Sequence, residues 1–237
     1  MIVRFRLVIL CAVMALLAAC AGPVPRIDAS VNSLSPVKTI AVIRPPEPKT
    51  YTVMNFGHPG MAFGLIGGLI AGGDQASKQD QLSAAFKAQG VGFASHLASQ
   101  IALKLGTAGY ETAVEDGPWE EAEGRYRLPF DKINSKADAV LVVSPTIVGF
   151  IATGAISDYL PTMTAVVTLL GKDRKEQLYR GFHSSGWAPK ADGWKVTPPK
   201  KTFPDFDTLM ANTKASASAL DNAGTAIAET VSADLRR

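Results

Sequence analysis

Cysteine is almost missing from this 237-residue chain: there are two, Cys11 and Cys20, both at the amino-terminal end. Everything after them is barred from disulfides, thiol catalysis and cysteine-based zinc sites. Histidine is nearly as scarce. His58, His96 and His183 are the three present, and none has a second His, Asp or Glu at the short spacing that builds a metal site from one element. No Gly-x-Ser-x-Gly elbow and no Gly-Lys-Ser/Thr phosphate loop occurs, so neither common nucleophile motif nor nucleotide cradle is present. Charged residues are 19% and aromatics 8% of the chain, with 24 basic residues against 21 acidic. That balance excludes a nucleic-acid or polyanion binder, and 47% hydrophobic content excludes a disordered chain.

What is there begins with an address. Arg4 and Arg6 precede an uncharged apolar stretch over residues 7–16, which ends in Leu17-Ala18-Ala19-Cys20. This is the layout of a signal peptide, and its apolar run is shorter than the roughly 20 residues a spanning helix needs. The closing tetrapeptide resembles the bacterial lipobox. The resemblance implies removal of residues 1–19 and diacylation of Cys20, so that the mature chain carries no free thiol. Cleavage also removes Arg4 and Arg6 and no acidic residue, leaving the chain close to neutral. Ala21 stands where enterobacterial lipoproteins retained in the inner membrane carry Asp. By that resemblance the expected location is the outer membrane, facing the periplasm. Residues 20–36, with Pro23, Pro25 and Pro36, read as a tether that spans up to roughly 50 Å at about 3.3 Å per residue.

Residues 37–237 read as a single α/β domain: a mixed sheet of four to five strands with helices packed on it. The segment KTIAVIR (38–44), stopped by Pro45 and Pro46, is the first strand. The best helix covers residues 79–105, with Leu82, Phe86, Phe93, Leu97, Ile101 and Leu105 on one face. Gly90 and Gly92 predict a kink or a fresh start within it. Residues 110–115 follow as a strand, 117–127 as a charged connection, and 129–135 as a brief helix. ADAVLVVSPTIVGF (137–150) is the most apolar stretch of the mature chain, and its Pro145 predicts a bulge or an edge. Residues 162–170 and 177–184 form a hairpin about a Gly171 turn. Residues 186–204 read as a long loop. The last helix, 215–235, aligns Leu220, Gly224, Ile227, Val231 and Leu235.

Residues 57–73 depart from their surroundings. Gly60, Gly64, Gly68 and Gly72 recur at intervals of four, with Met61, Phe63, Leu65, Ile66, Leu69 and Ile70 between them. On a helix this spacing lays small residues along one side and resembles a glycine zipper. Each interior Gly nevertheless costs a helix about 1 kcal/mol relative to Ala. The segment is therefore read either as a flexible apolar loop or as a helix that dips into a membrane or oligomerises. In both cases Gly60, Phe63, Gly64, Leu65, Ile66, Gly68, Leu69, Ile70 and Gly72 are the candidate contact residues. A phosphate loop is discarded for want of its Lys-Ser/Thr ending.

The order strand, helix, strand, short helix, strand, hairpin, helix resembles the α/β domain of three groups of envelope proteins. These are the curli-secretion channel lipoproteins, the lipoprotein activators of penicillin-binding proteins, and the amino-terminal domain of TolB. TIAVIRPP, ADAVLVVSPTIVGF and the TAVVTLLGKDRKEQLYRGF hairpin carry the resemblance. It implies assembly, secretion or regulation by protein contact at the outer membrane, with a protein partner or a homo-oligomer, no small-molecule cofactor, no metal and no catalysis. Two alternatives stand beside it: a subunit of an oligomeric pore built on the Gly-rich segment, and a periplasmic hydrolase assembled in three dimensions around His183 with Ser184 or Asp158. His183 itself is expected at a strand end facing solvent, and His96 half-exposed or hydrogen-bonded on its helix. Glu120, Glu121 and Glu123, and Asp205 with Asp207, read as solvated charge. Trp119, Trp187 and Trp194 fall in predicted loops, either closing the core edge or marking an interaction surface.

Overall fold

A computed structural model describes residues 24–58, 64–122, 125–190 and 192–237, with the side chains of 64–71 left aside. The signal peptide and Cys20 lie outside the described residues, as do Gly60 and Phe63. The fold is mixed α/β. A seven-stranded sheet replaces the expected four to five strands: β1 (Thr39–Arg44), β2 (Thr52–Asn55), β3 (Glu111–Asp116), β6 (Ala139–Ala152), β7 (Leu160–Leu170), β8 (Gln177–Ser185) and β9 (Trp194–Thr197). Its order is β3-β1-β6-β7-β8-β9, with β2 also paired to β6. The connection between β3 and β6 holds the small hairpin β4 (Glu120–Ala122) and β5 (Arg125–Arg127). β2 falls within residues 51–56, which the sequence marks as a second extended piece after the Pro-rich turn, whereas β9 lies inside the segment expected to be a loop.

Helices α3 (Phe93–Thr107) and α5 (Thr213–Asp234) pack side by side on one sheet face. The predicted stripes are the buried ones: Phe93, Leu97, Ile101 and Leu105 on α3, and Leu220, Gly224, Ile227 and Val231 on α5. They meet Ile40, Val42, Leu141, Val143, Met163, Ala165, Val167 and Leu169 in the main core. A second, smaller cluster of Ala41, Ile43, Val140 and Val142 on the opposite face is closed by Leu128, Ile133 and Trp119. α4 (Phe206–Ala211) leads into α5 and is capped by Asp205, whose Oδ1 accepts from the Thr208 N–H at 2.6 Å.

The predicted helix 79–105 is two helices. α2 (Gly64–Ala88) and α3 are divided where Gly90 takes φ +64°, a conformation that suits Gly and ends a helix. α2 begins far earlier than the apolar periodicity indicates and takes in the second half of the glycine repeat. The backbone at Gly64, Leu65, Ile66, Gly68, Leu69, Ile70 and Gly72 is thus helical, as one of the two readings of that segment had it, and the flexible-loop reading fails from Gly64 onward. No described helix is long and apolar enough to cross a membrane.

The amino-terminal segment also differs from its reading. Residues expected as tether up to Pro36 lie on the domain from Arg26: Ile27 exchanges both backbone hydrogen bonds with Arg180 of β8. α1 (Val31–Leu34) is closed by a capping box between Ser30 and Ser33, and Leu34 and Val37 are buried. The apolar Ile27, Leu34 and Val37 were present in the sequence but spaced too irregularly for a period to reveal them.

β1 and β2 lie along the same side of β6, one after the other, in register with residues 139–142 and 149–152. Residues 45–51 leave the sheet between them. Pro45 and Pro46 cannot donate to a ladder. Glu47 turns away to accept from the N–H groups of Ala94 and Ser95 at 3.1 Å, capping α3, whose own N-cap residue Gly92 supplies no side chain. Tyr51 is buried in edge-to-face contact with Phe86 and Phe93. Gly149 then lets β2 rejoin: a Cβ there would stand 1.9 Å from the Thr52 carbonyl oxygen. Removing the Glu47 cap with Glu47→Ala should destabilise the domain by about 1–2 kcal/mol in urea unfolding. Glu121→Ala, which loses only an exposed ion pair with Lys49, should change it by less than about 1 kcal/mol.

Candidate functional site

The excursion of residues 45–51 opens a window in the middle of the sheet. Between Val142 and Gly149 no strand pairs with β6 on the β1–β2 side, so a central strand lacks a ladder partner there. The predicted irregularity at Pro145 is found: the register against β7 slips between Pro145 and Ile147, and the Thr146 side chain is exposed in mid-strand. A cleft of about 590 Å³ lies over this window, walled by Lys49, Trp119, Arg125, Tyr126, Ser144 and Thr146 among others. Trp119 is fixed by its indole N–H donating to the Arg44 carbonyl at 2.8 Å, and Lys49 Nζ sits 5.7 Å from the Tyr126 ring centre. Two cations, two aromatic rings and several hydroxyls can hydrogen-bond and stack on a polar ligand. None of the three histidines is among the residues lining the cleft.

A second cluster is buried at the far edge. His183 is fully buried, against the expectation of a solvent-facing strand end. It shares the helix-side face of β8 with Tyr179 and Gly181, and the absence of a side chain at Gly181 is what admits the contact. A Cβ there would lie 1.9 Å from Tyr179 Oη and 2.5 Å from His183 Nε2. Tyr179 Oη donates to Asp234 Oδ2 at 2.8 Å and lies 2.6 Å from His183 Nε2, while His183 Nδ1 lies 2.8 Å from Thr230 Oγ1. The one phenolic proton goes to the carboxylate, so Nε2 must carry the proton that it gives to the phenolic oxygen. Arg26 reaches Asp234 at 3.0 Å and Lys195 pairs with its other oxygen.

Burial sets the protonation of this cluster. Desolvation pushes His183 down to about 4, opposed by Asp234 and aided by Arg26 and Lys195. Tyr179 is pushed up by burial and by Asp234. Burial alone would raise Asp234, but hydrogen bonds from Lys195 and Tyr179 outweigh it and hold the carboxyl below its ordinary value. Nothing in the residue pattern marks Asp234. It stands at the end of an Ala-rich helix, where a lone acid reads as solvated.

His183 and its two proposed catalytic companions are not assembled. Ser184 Oγ donates to the Trp187 carbonyl, and Asp158 accepts from Thr202. His96 lies half-buried as expected, its Nε2 3.5 Å from Thr225 Oγ1. Glu120 and Glu121 form exposed ion pairs with Lys132 and Lys49, and among the described residues no group of three His, Cys, Asp or Glu stands within reach of one metal ion. In the candidate glycine repeat, a Cβ at Gly72 or at the neighbouring Gly73 would meet nothing within 4 Å.

The sheet face away from α3 and α5 carries one more feature. Ser144, Val166, Phe182 and Trp194 are successive partners across β6, β7, β8 and β9, and each is half-exposed. Trp194 leans on Phe182 with ring centres 5.6 Å apart, and Val196, two residues along β9, is 50% exposed. Trp187 pairs with Phe56 at 5.3 Å.

No protein-family model and no curated protein matches this chain. Among solved structures, it overlays PelC from Paraburkholderia phytofirmans, a dodecamer, with TM-score 0.39 and 10% identity over 91% of this chain and 100% of that one. A single-residue variant of PelC, also a dodecamer, overlays with TM-score 0.39 and 13% identity over the same shares. At that level of similarity the assembly is a property of those chains.

The buried imidazole makes stability depend on pH. An unfolded chain protonates His183 near 6.5 and the folded chain only near 4. The stabilisation is therefore complete above pH 6.5 and declines as pH falls towards 4, by roughly 3 kcal/mol in all. Urea unfolding of the wild-type chain at pH 7, 5.5 and 4 should show this decline, and His183→Gln should flatten it.

Proposed function

We propose that this chain is a lipid-anchored lipoprotein of the bacterial outer membrane, facing the periplasm. It works without catalysis, through contact of its α/β domain with another envelope protein or with copies of itself. The Gly-rich start of α2 is the contact element. One observation carries this reading: Gly72 and Gly73 lie within a helix and face open space. A helical glycine is destabilising by about 1 kcal/mol relative to Ala. It is offset where something packs closely against it, and at these two positions nothing among the described residues does so. A partner helix or sheet laid along the repeat would supply that packing, as small-residue faces do between helices.

The reading predicts opposite effects on stability and association. Gly72→Ala with Gly73→Ala should stabilise the isolated domain by about 1–2 kcal/mol in total. The same pair should weaken the oligomer or the cross-linked complex recovered from cells after extraction in mild detergent. Unchanged association in this variant, or an extracted wild-type protein that is monomeric and yields no cross-linked partner, contradicts the reading.

A further inference from the structure

The half-exposed row on the outer sheet face ends at β9, and the amino-terminal chain leaves the domain at the same edge. Arg26 is held there from three directions: by Asp234 at 3.0 Å, by Asp28 at 2.6 Å, and by the Gly193 carbonyl, which accepts from its guanidinium at 3.3 Å, next to Trp194 in sequence. Ile27 is paired to Arg180 of β8, and the Arg180 guanidinium donates to the Pro25 carbonyl at 3.3 Å. The path from the domain to the membrane is thus fixed as far back as Pro25. Between Arg26 and Cys20 there are only six residue steps, roughly 20 Å at full extension. This edge of the domain is therefore held within about that distance of the acyl chains.

We infer that the β8–β9 edge and the outer face behind it, centred on Phe182, Trp194 and Val196, rest on the bilayer that holds the Cys20 acyl chains. The inference depends on the lipid anchor of the proposed function and not on its glycine contact. Tryptophan prefers the boundary between headgroups and acyl chains, and Trp194 stands at the strand closest to the anchor. Val196 adds an exposed aliphatic side chain on the same face of β9. Exposed Lys190, Lys200 and Lys201 flank β9, with Asp192 the one exposed acid among them, so the edge is matched to a surface carrying anionic headgroups. The row Val166, Phe182, Trp194 then continues from the membrane toward Ser144 and the cleft, whose mouth would open near the lipid surface.

The test uses the mature acylated protein reconstituted into vesicles of phosphatidylethanolamine and phosphatidylglycerol, with part of the lipid brominated at a shallow acyl position. Tryptophan emission is read with and without bromine, and acylation is checked by incorporation of labelled palmitate. The inference expects quenching, most of which is lost in Trp194→Phe, a change that preserves the ring contact with Phe182. Quenching should also weaken in Lys200→Glu/Lys201→Glu and in vesicles of phosphatidylcholine. Palmitate incorporation with unquenched Trp194, or with quenching unaltered by Trp194→Phe, overturns the inference and leaves the anchor standing. Emission shielded from bromine because a second copy covers this face, as judged by cross-linking from Val196→Cys, overturns it equally. Failure to incorporate palmitate overturns the anchor and the inference together.

Discussion

Asp234 carries the one charge on which the arrangement of the chain's ends depends. Its carboxylate is 7% exposed, and an ion so placed persists only if its oxygens are paired and hydrogen-bonded. The pairing draws together four parts of the sequence: Arg26 ahead of the first strand, Tyr179 on β8, Lys195 on β9, and the end of α5 that carries Asp234 itself. Two of the partners, Arg26 and Lys195, come from segments with little else to hold them. β9 has four residues, and the stretch around Arg26 has one backbone pairing, at Ile27. Loss of any one partner would leave the others holding an undercompensated charge, which is why these short pieces behave as one unit. Gly181 is the silent member, because any side chain at that position would occupy the space of the Tyr179–His183 contact.

The middle of the sheet is organised by a different constraint. β6 is long enough to pair with β1 over its first residues and with β2 over its last. The prolines between those strands, together with Glu47 and Tyr51 pointing elsewhere, leave its middle unpaired. The result is a domain with two regions of different character: a mid-sheet window with cations, rings and hydroxyls, and the β8–β9 edge against which the amino-terminal segment lies. α2 adds a third surface, since a side chain at Gly72 or Gly73 would meet nothing within 4 Å among the described residues. The proposed contacts with partner and lipid fall on two of these three surfaces.

Much of the scaffold was legible from residue pattern. The apolar runs at 38–44 and 137–150, the hairpin about Gly171, and the buried stripe on α5 all follow from periodicity, because each buries a continuous face. What the pattern could not reveal were features set by tertiary contact. β9 is short and lacks alternation. α2 begins inside a glycine repeat that propensity disfavours. Residues 26–36 were read as tether because their few apolar residues obey no period, although Leu34 is buried. His183 looked like a strand-end residue, since its burial depends on Thr230 and Asp234, some fifty positions away. The spacing Tyr-x-Gly-x-His over 179–183 was the available signal: three residues on one face of a strand with the smallest in the centre.

The segment ahead of the first strand is clamped to the β8–β9 edge through Arg26 and Ile27 and is not free to swing. Spin labels introduced by Val24→Cys and Val196→Cys, both at exposed positions, read this directly through the distance distribution between them in the acylated protein. A clamped segment gives one narrow distribution, unchanged on reconstitution into vesicles and broadened by Asp234→Asn. A broad distribution with Asp234 intact would contradict the account.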